Sequence, residues 1–85
     1  MSRVRLNPRE PAHEVVVGLD PPLATFFAQV FSDGEPLEFR PSWSSRDVVE
    51  VIDRYAADDE RTRAVRRAVL LDLDPADHVS GEDPP

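Results

Sequence analysis

The densest hydrophobic pattern of the chain lies in residues 14–31, EVVVGLDPPLATFFAQVF, which contain most of its aromatic and β-branched side chains. Three consecutive valines in the first part favour a pleated backbone and predict a strand over residues 13–18. Both faces of the second part, residues 25–31, are apolar enough to be half covered, which predicts a central strand. Pro21 and Pro22 cannot donate to a sheet ladder, so they place the connection between the two strands.

A hairpin and a short third strand follow this pattern. Asp33 and Gly34 lie between two strand-like runs and are a strong signal for a two-residue turn. Apolar and charged residues alternate over 37–40, which predicts a strand with Leu37 and Phe39 facing inward. A proline on each side keeps this strand short and suits the edge of a sheet.

The apolar period then changes from two to 3.6 residues, which predicts a first helix. Ser44 or Ser45 can cap its start, and Asp47 completes an approximate capping box. Glu50 and Arg54 form a favourably oriented pair one turn apart on its outer side. The predicted apolar face of this helix consists of Val48, Val51, Ile52 and Tyr55.

A second helix is predicted from about residue 59 to residue 71 or 73, with Pro75 ending it. Acidic residues crowd its start and arginines lie further along, which is the order that the helix dipole favours. Its predicted buried seam consists of Val65, Ala68, Val69 and Leu73.

These elements predict an α+β fold, β-β-β-α-α, in which both helices pack on one face of a three-stranded antiparallel meander. We expect a flexible arm over residues 1–12, a single domain over 13–73 and a disordered acidic tail over 74–85. The other face of the sheet holds part of the Phe26 and Phe27 alternation, and is a candidate surface for binding or dimerisation.

Composition limits how stable such a domain can be. The chain has 85 residues and no cysteine, and a domain of this size buries only about 60% of the surface of its unfolded chain. Stability of a few kcal/mol, or dependence on a partner or self-association, is therefore expected. No apolar run approaches the ~20 residues that span a bilayer, and the N-terminus lacks a signal-peptide core. We expect a cytoplasmic protein.

The net charge of −7 excludes one class of partner. Nucleic acids and anionic lipids are repelled by the overall field, whereas a protein with a basic surface is attracted. All ten basic residues are arginine, which is typical of a GC-rich bacterial genome or its phage.

Catalytic and metal-binding patterns are weak. The cluster over residues 72–78, DLDPADH, lacks the glycine turn and final glutamate of a calcium loop, and favours a solvated helix end. His13 and His78 are the two histidines, each near a chain end. No nucleophile elbow surrounds the serines at 42, 44 and 45, and no glycine-rich phosphate loop is present. We predict a protein that is not an enzyme and has no cofactor or metal.

Three arginines on the second helix and one tryptophan have alternative interpretations. Arg63, Arg66 and Arg67 share a face that could hold phosphate or carboxylate groups, but among so many acids they favour internal ion pairs. Trp43 lies between the third strand and the first helix. We expect it to cover the core, whereas an exposed Trp43 would anchor an interface.

The segment from residue 18 to residue 30, GLDPPLATFFAQV, resembles a group of small uncharacterised bacterial proteins. They share a Gly-x-Asp-x-Pro-Leu-x-Thr-Phe-Phe-Ala segment followed by a hydrophobic strand and a helical C-terminal half. The resemblance implies a fold and a bacterial or mobile-element origin, and it implies no activity and no site residues. Residues 37–41 are more polar here than in that group.

The function predicted from these features is a small acidic protein-binding module that regulates or inhibits a protein partner. A specific form is an inhibitor that mimics nucleic acid, as anti-CRISPR proteins do. The alternative is a structural or assembly subunit that self-associates, as a homo-oligomer, through an apolar sheet face. The residues predicted to bind the partner are Asp47, Glu50, Asp53, Asp58, Asp59, Glu60 and Trp43, with Arg63, Arg66 and Arg67 as an anion or ion-pair face.

Overall fold

The computed structural model describes residues 2–20, 25–38, 40 and 42–79. In this part of the chain an antiparallel sheet is followed by two helices, as predicted, but the sheet has four strands and not three, in the order β1-β2-β3-β4. The elements are β1 (Ser2–Leu6), β2 (His13–Asp20), β3 (Thr25–Ser32), β4 (Glu35–Glu38), α1 (Ser45–Tyr55), α2 (Glu60–Leu70) and a 3-10 helix (Pro75–His78).

The additional strand, β1, lies in the segment that was predicted to be a flexible arm. It pairs with β2, with Val4 opposite Val17 and Leu6 opposite Val15. Val4 and Leu6 are buried while Arg3 and Arg5, which alternate with them, are exposed, which is the pattern of a half-buried strand. Pro8 and Pro11 follow this strand closely, and for that reason the short alternation was not interpreted as a strand.

The next residues attach the β1–β2 connection to the end of α1. The Ala57 amide donates to the Asn7 carbonyl at 2.7 Å, and the Arg9 amide donates to the Tyr55 carbonyl at 2.9 Å. Arg9 also donates from its guanidinium to the Asp53 carbonyl at 3.0 Å. Residues 7–9 are therefore part of the folded domain.

β2 and β3 pair over their full length and form the centre of the sheet. Leu19 and Asp20 continue β2 beyond Gly18, where the strand was predicted to end. That connection is confined to residues 21–24, which lie outside the described residues together with the predicted role of Pro21 and Pro22. Phe26, Ala28 and Val30 face the helices and are buried.

The hairpin between β3 and β4 has the predicted two-residue turn, with φ of 51° at Asp33 and 85° at Gly34. A bulge follows, because Phe31 pairs with Pro36 while Val30 pairs with Glu38. β4 therefore contains one extra residue, Leu37, relative to β3. This extra residue shifts the alternation of β4, so the side chains predicted to face the core and those predicted to face solvent exchange sides. Leu37 is 44% exposed. Phe39 lies outside the described residues.

α1 begins as predicted, with Ser44 as its cap and Asp47 completing the capping box. The predicted apolar face packs on the sheet, with Tyr55 at its partly buried end. Arg54 lies 3.8 Å from a carboxylate oxygen of Glu38 on β4 and not within ion-pair distance of Glu50 in the described part of the chain.

α2 is capped by Asp59 and ends at Leu70. Val65, Ala68 and Val69 are buried, as the predicted seam requires. Leu73, the fourth predicted member of that seam, is 40% exposed because the helix has ended before it.

The predicted acidic tail is structured in its first part. The Asp74 carboxylate accepts a hydrogen bond from the Ala76 amide at 3.0 Å. Pro75 is fully buried, and Ala76 and Val79 pack against the core. The remainder of the predicted tail, residues 80–85, lies outside the described residues. No described helix is long and apolar enough to cross a membrane.

Candidate functional site

Three leucines at the C-terminal end of α2 are exposed. Leu70 is 55%, Leu71 61% and Leu73 40% accessible to solvent, and we refer to these three residues as the leucine patch. Within the described part of the chain, one other large hydrophobic side chain is comparably exposed, Leu37 on the edge strand β4. Three large apolar side chains exposed within four residues are a candidate interaction surface, whereas single exposed ones are normal.

The patch follows from the way α2 ends. Asp72 has φ of 58°, and its amide donates to the Val69 carbonyl at 3.1 Å. The Leu73 amide then donates to the Ala68 carbonyl at 2.8 Å, which completes a Schellman motif. The left-handed residue turns the chain away from the helix axis, so Leu73 leaves the buried seam.

One acidic residue lies within the leucine patch in the sequence, Asp72, and another follows it, Asp77. Asp72 and Asp77 are exposed, and neither side chain has a hydrogen-bond or ion-pair partner among the residues described. Residues 70–79 contain no arginine. On the preceding turn Arg67 is exposed, and no ion pair involves it within the described ranges. The leucine patch therefore contains one carboxylate without a partner in the described part of the chain, that of Asp72, and a second, that of Asp77, follows it in the sequence.

Two of the six acids predicted to bind a partner have structural roles as helix caps. Asp47 accepts from the Ser44 amide at 3.0 Å and from Arg40 at 2.8 Å. The Ser44 backbone hydrogen bond, followed by the Ser44 hydroxyl and the Arg40 charge, lowers the pKa of the Asp47 carboxyl. Asp59 caps α2, and hydrogen bonds from the Asn7 amide and the Thr62 backbone lower its pKa.

Two more of these acids are bound to the predicted arginines. Asp53 accepts two hydrogen bonds from Arg66, at 2.8 and 3.2 Å, and Asp58 accepts one from Arg63 at 2.9 Å. The Asp53 hydrogen bond and charge raise the pKa of the Arg66 guanidinium. Arg63 and Arg66 are thus engaged in internal ion pairs.

Glu50 and Glu60 are the members of the predicted acidic set whose side chains have no partner in the described part of the chain. Both are exposed. The structure therefore does not bring the six predicted acids together as one free acidic surface.

Trp43 is half-buried and packs against the core. The Arg40 guanidinium lies 5.1 Å from the centre of its ring, a distance typical of a cation–π contact. Its position matches the expected cover over the core, and Arg40 occupies the ring face that a partner would otherwise contact.

A polar cluster around Glu38 was missed from the sequence. Its side chain is 15% exposed, and it accepts a hydrogen bond from the Tyr55 hydroxyl at 2.9 Å. Guanidinium nitrogens of Arg40 and Arg54 lie 3.6 and 3.8 Å away. Alternation placed Glu38 outward, and the bulge at Leu37 turns it toward the helices. The cluster closes the edge of the core at β4.

The histidines lie apart. The His13 ring meets the Tyr55 ring edge to face, with 5.9 Å between centroids. Its Nδ1 atom is buried without a hydrogen-bond partner in the described part. His78 is exposed at the end of the 3-10 helix. Within the described ranges, no group of three or more histidine, aspartate or glutamate side chains could hold a metal ion.

Comparison with known proteins adds no assignment to this geometry. No protein family model, no curated protein and no solved structure matches the chain.

Proposed function

We propose that this chain is a small non-catalytic module that binds, and thereby regulates or inhibits, a protein partner, and that the leucine patch is its binding surface. The observation that carries the proposal is the exposure of Leu70, Leu71 and Leu73 within four residues. Leaving three leucines in water costs free energy in the isolated chain, and burial against a partner recovers about 25 cal/mol per Å².

The proposed partner has apolar side chains flanked by basic ones. Asp72 lies between two leucines of the patch in the sequence and Asp77 follows four residues after Leu73, and the whole chain carries a charge of −7. Complementary charge of this kind raises the association rate and selects orientation more than it raises affinity. The absence of cysteine suits a reducing compartment, so the proposal includes a cytoplasmic partner.

The proposal does not use nucleic-acid mimicry. A mimic needs an ordered array of free carboxylates, and four of the six acids predicted for that array hold a helix cap or an arginine. In our proposal the leucines supply the contact, and the acidic field supplies the steering.

Affinity capture with matched variants tests this surface. The tagged chain, its Leu70→Ser/Leu71→Ser/Leu73→Ser variant and a Leu37→Ser control are used to capture proteins from nuclease-treated host lysate. Circular dichroism establishes that all three chains are folded. We expect one protein that the native chain and the control recover in equal amounts and that the patch variant loses. Recovery of the same protein by the patch variant would refute the proposal, and so would the absence of any specific protein.

A further inference from the structure

The sheet has a second face, opposite the helices, which we call the helix-free face. By register, one row across it consists of Arg3, Gly18 and Phe27, and the next of Arg5, Val16 and Gln29. Glu14 and Phe31 follow on the third row. None of these residues belongs to the core cluster between the sheet and the helices.

The helix-free face has apolar residues at its centre. Val16 is only 2% exposed, although no described helix lies over it. Phe27 and Phe31 are half-buried beside it. The Phe27 ring lies across Gly18, because a Cβ atom at that glycine would be 2.5 Å from the ring carbon Cζ. A neighbouring protein would therefore meet the partly exposed rings of Phe27 and Phe31 together with the exposed side chains of Arg3, Arg5 and Gln29.

The charges on this face differ from those of the whole chain. Arg3 and Arg5 are balanced by Glu14 and Asp20, so the four sum to zero, whereas the chain carries −7. A guanidinium nitrogen of Arg5 lies 3.0 Å from a carboxylate oxygen of Glu14, so these two side chains form an ion pair. The acidic excess that makes two copies repel one another therefore lies elsewhere on the molecule.

We propose that a second copy of this chain covers the helix-free face, forming a two-fold dimer of sheets packed face to face. Layers of about 10 Å would leave the helices of the two copies roughly 30 Å apart, more than three Debye lengths at physiological ionic strength. The acidic helices then do not oppose association. The neutral, mixed-charge faces can meet their own copies, which an isologous interface requires.

The available area is enough for a weak dimer. Four strands spaced by about 4.8 Å and roughly six paired residues long give a footprint of about 400 Å² per copy. With its side chains included, the pair buries on the order of 1,000 Å² in total, the lower limit for a specific interface. We expect a dissociation constant in the micromolar range.

The arginines determine the orientation of the two copies. A two-fold axis parallel to the strands puts β1 of one copy over β4 of the other, and keeps Arg3 and Arg5 away from their own copies. A two-fold axis perpendicular to the strands, in the plane between the two sheets, would instead put β1 of one copy over β1 of the other. The arginines of the two copies would then face one another. The first arrangement also brings the two copies of Gln29, an exposed residue of β3, within about 10 Å of one another.

Charge reversal at Gln29 tests the dimer and its symmetry together. Sedimentation equilibrium is measured for the native chain, for Gln29→Glu, for Gln29→Arg and for an equimolar mixture of the two variants. Gln29→Thr is the uncharged control, and circular dichroism reports folding. We expect the native chain and the control to dimerise, and each charged variant to dimerise at least tenfold more weakly, because like charges meet at the axis. The mixture should regain the dimer.

A chain that stays monomeric up to millimolar concentration overturns the proposal, as does a dimer that either charged variant leaves unchanged. A dimer lost only in the leucine-patch variant would move self-association to the surface proposed for the partner. Because the two surfaces are tested by different variants, the dimer and the proposed function can fail separately.

Discussion

The side-chain amide of Asn7 donates a 2.9 Å hydrogen bond to Oδ2 of Asp59, while the other oxygen of that carboxylate accepts from the Thr62 amide at 2.8 Å. One carboxylate therefore caps α2 and holds the turn after β1 against the start of that helix. This single contact connects the end of β1, a strand that was not predicted from the sequence, to α2, a helix that was.

Replacing Asp59 with alanine should lower the free energy of unfolding by about 1 to 2 kcal/mol, because the cap and the partner of Asn7 are lost together. Asp59→Asn should cost less than half as much, since asparagine caps nearly as well. Urea denaturation of both variants measures the difference. Equal losses in the two variants would show that the side-chain cap is not what stabilises this end of α2.

Stability should fall in acid partly through Asp47 and Asp59. Hydrogen bonds donated by the Ser44 backbone to Asp47 and by the Asn7 amide to Asp59 lower the pKa values of these carboxyls below the ordinary 3.8 in the folded chain. Near pH 4 the unfolded chain therefore binds more protons than the folded one. The contribution of these groups is present above the unfolded pKa and is lost as the pH falls through the folded values.

The native chain and Asp59→Asn distinguish this effect from general acid denaturation. The asparagine variant does not titrate at this position, so its free energy of unfolding should fall less between pH 6 and pH 3 than that of the native chain. Urea midpoints at several pH values supply the comparison. Parallel curves for the two chains would contradict the lowered pKa of Asp59.

Gly18 should not tolerate a side chain. A Cβ atom there would overlap the Ser2 carbonyl oxygen and come within 2.5 Å of the Phe27 ring. Gly18→Ala should therefore destabilise the fold by about 1 to 3 kcal/mol, whereas Gln29→Ala at an exposed position of the same sheet should cost less than about 0.5 kcal/mol. Thermal denaturation measures both, and similar midpoints for the two variants would contradict this packing.

Thr62→Val should stabilise the chain. Thr62 is 6% exposed, and its buried hydroxyl is close enough to the Asp59 carboxylate to help lower that pKa but does not complete a hydrogen bond in the described part of the chain. Valine has nearly the same shape and removes the desolvation cost, so a gain of about 1 kcal/mol is expected. The exposed Thr25→Val is the control. A loss of stability in Thr62→Val, measured by urea denaturation, would mean that the hydroxyl has a partner.

Features set by a few neighbouring residues could be predicted from the sequence. The Asp33-Gly34 turn requires two positive φ angles, and these residues supply them at little cost. The Ser44 and Asp47 capping box likewise depends on side chains three residues apart. Both features are confirmed because no distant part of the chain decides them.

Features that depend on distant contacts could not be predicted. β1 is only five residues long and needs β2 beside it, so its alternation was too short to outweigh the prolines that follow. The bulge at Leu37 changes the direction of Glu38 without changing composition. Leu73 belongs to the leucine patch, and not to the buried seam, because α2 ends at Leu70, before the apolar pattern reaches it.

The leucine patch as a protein-binding surface is the central claim, and site-specific photo-crosslinking in the host cell tests it most directly. A photoreactive phenylalanine derivative replaces Leu71 in one chain and Leu37 in another, both exposed positions outside the core. We expect position 71 to give one product of defined mass with another protein, and position 37 to give no such product but only, where the proposed dimer forms, a crosslink to a second copy of this chain. Equal products from both positions, or none from position 71, would contradict the assignment of this surface.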